Sequence, residues 1–197
     1  MAAPRQYEPA GVDVSGDRFT VEQTGQDGNF RPEYEARDGT GTTLFRTTYQ
    51  MYEGEDSFPF VDSEGEEVFT VAAEGTWDVA GDYVLTDSQT GEDLVVLDND
   101  FSVLRDTWRV RDADDGTVLA TVESGGALRT VARTLLPAGQ FLGHRYEIRD
   151  ADGESAGAIE SGFAVFDEYE VTFSDAGRLP RTPLVAGAVV VDAIQGN

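Results

Sequence analysis

Few side chains in this sequence are of the kinds that make or break covalent bonds. Cysteine is absent, which excludes a thiol nucleophile, a thiolate zinc site, an iron–sulfur cluster and a disulfide framework. His144 is the one histidine, so any Ser–His–Asp arrangement has to pass through it. It stands in FLGHRYEI just ahead of an alternating segment, where a turn or packing role is ordinary, and no serine carries a nucleophile motif. The turns Asp112–Gly116 and Asp150–Gly153 resemble fragments of calcium loops. Neither has the D-x-[DN]-x-[DN]-G spacing with its distal Glu, and hairpin turns rich in Asp and Gly account for both. Gly125–Gly126 is no phosphate loop, because GxxxxGK[ST] is missing and the chain has no lysine to complete one. No catalytic residue, metal ligand or cofactor is therefore expected.

Charge is the more informative chemistry. The 197 residues carry 38 acids and 14 basic residues, all arginine, for a net charge of −24. Such a chain lacks the basic footprint that nucleic acid needs. Acid excess without lysine suggests adaptation to high salt, where repulsion between exposed carboxylates is screened. One stretch departs from this balance. From Arg105 to Arg149 there are seven arginines and six acids. Arg109 and Arg111 share one strand face, Arg145 and Arg149 another, and Arg129 and Arg133 lie one helical turn apart. Together these six are the candidate ligand-binding residues, an anion-attracting patch. The ordinary alternative is arginine–carboxylate pairing across strands. Asp192 is a different candidate: it follows Val189–Val191 in an apolar run, so it is expected as a buried structural charge with a partner, arginine first among the choices.

The elements that must position these residues repeat along the chain. An aromatic, alternating apolar residues, an acidic turn with Gly and a second apolar strand begin at Tyr34, Phe58, Tyr83, Trp108 and Tyr146, with a truncated copy at Tyr169. Each unit reads as a hairpin. Five hairpins, plus strands at Phe19–Val21 and Tyr169–Phe173, give about twelve strands, which should close into an antiparallel barrel to remove exposed edges. Two segments break the pattern. Ala127–Leu136 places apolar residues at i, i+3, i+4, i+7 and i+8, which predicts a short amphipathic helix at about 127–136, stopped by Pro137. Pro183–Ile194 is apolar nearly all round and too short to span a bilayer, so it is expected as a helix filling the barrel. A β-branched final strand is the competing reading.

FPFVDSEGEEVFTV, WDVAGDYVLTDSQTGEDLVVL, TWRVRDADDGTVLATV, YEIRDADGESAGAIE and the ending AVVVDAI resemble the LURP-one-related family, which has the tubby C-terminal-like fold and is related to phospholipid scramblases. With the charge balance, the resemblance is to a haloarchaeal type. It implies a mainly β protein: a closed barrel around a hydrophobic C-terminal helix, as one domain over 17–195 after an N-terminal tail of 1–16. It implies a fold more than an activity. Tubby proteins hold phosphoinositide head groups through basic residues, and no lysine is present here to carry that role over. A non-enzymatic binding or scaffold domain is the expected function, with an unknown ligand or protein, an anionic lipid head group included, as partner. The alternative is a membrane-associated lipid-binding or scramblase-like protein. No signal-like or membrane-spanning run is present, so a cytoplasmic location, or one peripheral to the membrane, is expected.

Overall fold

The computed structural model describes residues 7–52, 55–74, 82–102, 105–124, 145–161, 168–174 and 179–195. The expected helix at 127–136, with Arg129 and Arg133, and the lone His144 lie outside the described residues. The strands are β1 (Arg18–Gln26), β2 (Pro32–Asp38), β3 (Thr43–Thr48), β4 (Gln50–Tyr52), β5 (Glu55–Val61), β6 (Glu67–Glu74), β7 (Asp82–Asp87), β8 (Asp93–Ser102), β9 (Arg105–Asp112), β10 (Val118–Ser124), β11 (Arg145–Asp150), β12 (Ser155–Ser161) and β13 (Glu168–Phe173). One helix, α1 (Arg181–Gln195), follows.

Each strand pairs antiparallel with its neighbours, and β1 pairs with β13. The circle closes where Arg46 and Thr47 of β3 pair with Val61 and Phe60 of β5. That makes a closed barrel of twelve strands, as the repeat predicts. The short β4 is an addition that pairs only with β5 among the described strands.

The five hairpins share one turn chemistry. Asp38 Oδ1 accepts the backbone N–H of Thr40 and Thr42, Asp62 those of Glu64 and Glu66, and Asp150 those of Asp152 and Glu154. Asp87 and Asp112 do the same in turns one residue longer. Each turn then needs a residue at positive φ, and Gly41, Gly65, Gly91, Gly116 and Gly153 supply it. The calcium-loop-like turns at 112 and 150 are two of this set, their carboxylates engaged by backbone N–H groups. The β1–β2 turn repeats the geometry around Asp27, but Phe30 takes the glycine position, at φ 63 and 82% exposed.

Just inside every one of these five turns the register shifts by one residue. The residue left over is Leu44, Val68, Leu94, Leu119 or Ala156, apolar in all five copies. These bulges sharpen the strand twist and bend that closure demands.

The inner face carries Phe19, Val21, Phe58, Phe60, Phe69, Val71, Leu85, Val95, Val110 and Ile148, each almost wholly buried. Phe45, Phe60 and Phe69 form a cluster with ring centroids 4.4 to 5.3 Å apart. The rest of the interior is occupied by α1, whose Leu184, Val185, Ala186, Ala188, Val189, Val190 and Ala193 are all buried. Pro183 sits in its first turn, where a missing N–H and a fixed φ cost nothing. The apolar run is thus the filling helix, two residues longer at its start and one longer at its end than the sequence reading.

The helix is pinned where it enters. Glu8 caps it: Oε1 accepts the N–H of Arg181 at 2.7 Å and Oε2 that of Thr182 at 3.0 Å. The Arg181 side chain is buried, donates to the carbonyls of Val14, Ser15 and Gly16, pairs with Asp17 at 3.1 Å, and lies 5.3 Å from the centroid of Phe173. The described part of the expected tail is therefore docked across the turn end. Tyr7 donates to Asp112, and Ala10 N–H to Asp87.

Ending the chain at Leu179 should abolish cooperative unfolding, because a barrel this wide is left unfilled and Glu8 and the carbonyls of residues 14–16 lose their donors. Circular dichroism with a urea series reads it. A truncated protein that melts at the same midpoint would make α1 peripheral.

Candidate functional site

The end of the barrel away from the five turns is where polar groups reach the interior. There α1 finishes, and the start of β2, the start of β13 and the start of β11 converge on it. Asp192 is half-buried and accepts a hydrogen bond from Tyr34 Oη at 2.9 Å and another from Tyr169 Oη. Besides the arginine expected from the sequence, the carboxyl thus has donors that sequence reasoning did not name, tyrosine hydroxyls from two strands. Tyr34 is the first inward residue of β2 and Tyr169 lies at the start of β13, so period-2 alternation aims both at the helix. The aromatic that opens each repeat was legible as a strand marker, but its hydroxyl's role was not.

The same device recurs one quarter of the wall away. Asp56 accepts from Tyr49 Oη at 2.6 Å and from Tyr83 Oη at 2.8 Å. Burial, then the hydrogen bond and charge of Asp56, push the Tyr49 hydroxyl up to about 12 and raise that of Tyr83 as well.

Between α1 and the wall formed by β8 to β13 lies a cavity of about 40 Å³. Leu97, Trp108, Val122, Tyr146 and Ile159 face it from the wall, and Gly187, Ala188, Val191 and Asp192 from the helix. Small helix residues opposite large wall residues leave this space. Trp108 is 4% exposed and its Nε1–H is buried without an acceptor among the described residues. Thr182 Oγ1, at the other end of the helix, is the second such atom.

Of the six arginines expected as a patch, Arg109, Arg111, Arg145 and Arg149 lie on the outward face of β9–β11, since Trp108, Val110, Tyr146 and Ile148 alternate with them inward, and Arg129 and Arg133 lie outside the described residues. Each meets carboxylates. Asp98 sits 3.7 Å from Arg109 and also holds Arg111, Arg145 pairs with Glu160 across β12, and Arg149 lies 2.6 Å from Glu147 and 3.6 Å from Glu123. A second outward network centres on Glu35, which accepts from Thr43, Arg37 and Arg46. Burial raises the Glu35 carboxyl, but these donors outweigh it and hold it at about 2. It borders a polar groove of about 370 Å³ over the β3–β5 closure, which also exposes Glu33, Arg46, Thr48 and Gln50.

Among the described residues no three His, Cys, Asp or Glu side chains form a group that could hold a metal ion, and no helix is long and apolar enough to cross a membrane. A family model, LURP-one-related, matches residues 42–192, from the start of β3 into the last turn of α1. No curated protein matches the chain.

Removing one phenol from Asp192 should destabilise the fold, because a hydrogen bond to a charged group contributes about 1.5–3 kcal/mol. Tyr34→Phe and Tyr169→Phe are each expected to cost about that much in denaturant melts, and losses under 0.5 kcal/mol for both would remove the pairing from any structural role. A pH series tests the Asp56 cluster. Its two tyrosines have folded values above the unfolded value of about 10, so their contribution is complete below that pH and is lost as pH rises toward 12. Phenolate absorbance and denaturant melts from pH 8 to 12 should show stability falling before the two hydroxyls ionise, and Asp56→Asn should bring their ionisation to lower pH.

Proposed function

The chain belongs to the LURP-one-related family, and from that premise we propose that it is a non-enzymatic binding domain, built for concentrated salt, whose ligand enters the cavity beside α1. The single observation that carries this reading is the buried Trp108 donor in the wall of that cavity, which has no acceptor among the described residues. Elsewhere among the described residues the polar groups with sequence-level promise have structural work. Arg109, Arg111, Arg145 and Arg149 face carboxylates, and the turn aspartates hold their own turns. Exposed pairs of this kind contribute under about 1 kcal/mol each and can yield to a stronger anion, so the arginine face remains the secondary place for an anionic partner.

Salt enters through the net charge of −24. At ~10 mM salt the Debye length is about 30 Å, comparable with the whole domain, and carboxylates repel across it; at molar salt it is about 3 Å. One observation favours the membrane-associated alternative: Phe30 projects from the β1–β2 turn at positive φ, a position where glycine carries no strain. An aromatic held there against its conformational preference suits contact with an apolar partner surface.

The test is a thermal-shift screen in molar KCl with neutral apolar, cationic and anionic small molecules, alongside cosedimentation with anionic and zwitterionic vesicles. A ligand that raises the melting temperature and leaves unchanged recovers intact supports the binding domain. Catalytic conversion of any compound overturns it. Vesicle binding that Phe30→Gly abolishes shifts the assignment to the membrane reading. The melting temperature itself should fall as KCl is lowered from molar to ~10 mM, and an unchanged value would refute the salt adaptation.

A further inference from the structure

The barrel wall has a break built into its outer face. β3 pairs with β5 through Arg46–Val61 and Thr47–Phe60, and β4 resumes the same register at Gln50–Ser57. Thr48 and Tyr49 are passed over. Pro59, which would stand opposite Thr48, has no N–H to give, and its carbonyl already accepts Thr47 Oγ1 at 2.6 Å. Tyr49 N–H turns away to the Pro32 carbonyl at 3.1 Å. The ladder therefore parts here, and the groove of about 370 Å³ lies over the gap, a volume in the range of small-molecule sites.

The register also sets out the polar lining. Glu33 lies opposite Thr48, and Glu35 opposite Arg46. Glu33 and Arg46 are thus diagonal neighbours on the outward face, about 7–8 Å apart at the backbone. Arg46 is held in place: its Nε donates to Glu35 at 3.1 Å, and Glu35 is itself fixed by Thr43 and Arg37. The Arg46 side chain is still 51% exposed, so the rest of its fork is open to the groove. Glu33, Thr48 and the Gln50 amide supply acceptors beside it, and Pro59 and Val61 give an apolar border.

We propose that this groove binds a free α-amino acid, its carboxylate on the Arg46 guanidinium, its ammonium on Glu33 and Thr48, and an apolar side chain against Pro59 and Val61. The inference is independent of the cavity beside α1, and either can fail alone. A guanidinium fork matches a carboxylate in shape and charge. An ammonium has three donors and no acceptor, which Glu33, Thr48 and Gln50 can satisfy together. A plain anion meets Glu33 and Glu35, and a plain cation meets Arg46, so the ligand has to carry both signs close together.

The experiment titrates the isotope-labelled full chain with L-leucine in molar KCl and follows backbone amide resonances. The controls are 4-methylpentanoate, which is leucine without its ammonium, 3-methylbutylamine, which is leucine without its carboxylate, and leucyl-glycyl-glycine, in which the two charges stand far apart. Expected are saturable shifts at Glu33, Thr48 and Gln50 with leucine, and binding of each control weaker by at least about tenfold, the lower end for a hydrogen bond to a charged group. Glu33→Gln and Arg46→Gln should each weaken leucine by a similar factor. Should Arg46→Gln fold poorly through its contact with Glu35, Glu33→Gln decides, because Glu33 stands outside the Glu35 network and its loss should leave the melting temperature unchanged. No saturable shift with leucine, shifts confined to other parts of the barrel, equal binding of either single-charge control, or unchanged affinity in Glu33→Gln overturns the proposal. Tripeptide binding as tight as that of leucine assigns the groove to peptide ends and overturns the free amino acid.

Discussion

A barrel of twelve strands is too wide for its own inward side chains to fill, and that constraint governs the rest of the molecule. Its solution is a helix apolar on every side, which could not exist in water and has meaning only inside the wall. Burying such a helix creates a second problem at its ends, where backbone donors and acceptors lack partners. At the entry end the answer is the Glu8 carboxylate on the first N–H groups and the Arg181 guanidinium on the carbonyls of residues 14–16. These contacts join the first described residues to the last element. The chain's two ends therefore have to arrive before the barrel is complete. Arg181 is buried, so stranding it would cost several kcal/mol, and its pairing with Asp17 alone, largely exposed, would not repay that. The carbonyls do most of the compensation, since a planar guanidinium can donate to several at once.

Much of the barrel was legible because each repeat encodes one hairpin with its own turn. Aspartate followed by glycine fixes where a strand reverses, and alternation fixes which face turns inward. The filling helix was legible from its uniform apolarity. What escaped the sequence were features that exist only between elements. The five bulges are an example: EEVF, EDLV and TVLA contain the adjacent apolar pairs Val68–Phe69, Leu94–Val95 and Leu119–Ala120, which a strict period of two cannot place on one face. The first of each pair is the bulge residue and the second resumes the inward row. Adjacent apolar residues at the same point of four of the five copies were the available signal, the fifth having Ala156 followed by Gly157. The docked segment at 7–17 was missed because Glu8, Ala10 and Tyr7 act across more than 70 residues, with nothing local to betray them.

The site residues divide along the same line. Outward arginines at 109, 111, 145 and 149 were predictable from alternation, and so was their cross-strand pairing with acids. Lysine-free composition fits that role, because arginine holds a carboxylate through a fixed fork while a lysine offers a point charge. Asp192 was recognisable as a charge in the wrong place, but its partners could not be inferred, since a tyrosine opening a strand reads first as an apolar core residue. Tyr34 and Tyr169 serve both purposes, their rings in the wall and their hydroxyls on the helix.

That double use places the interior polar contacts of α1 at the far end of the barrel, opposite the five turns. The carboxyls of Asp56 and Asp192 each accept from two tyrosine hydroxyls inside a largely apolar interior. The contacts to Asp192 tie the end of α1 to β2 and β13. Those ties fix one side of the helix, and the side facing β8 to β12 is left to contacts between Gly187 or Ala188 and larger wall residues. A small residue opposite an indole cannot close the gap by moving, because the helix is already anchored through Arg181 and Asp192. The cavity beside Trp108 is therefore a consequence of how the filling helix is tethered at both ends, and its shape should persist as long as both tethers do.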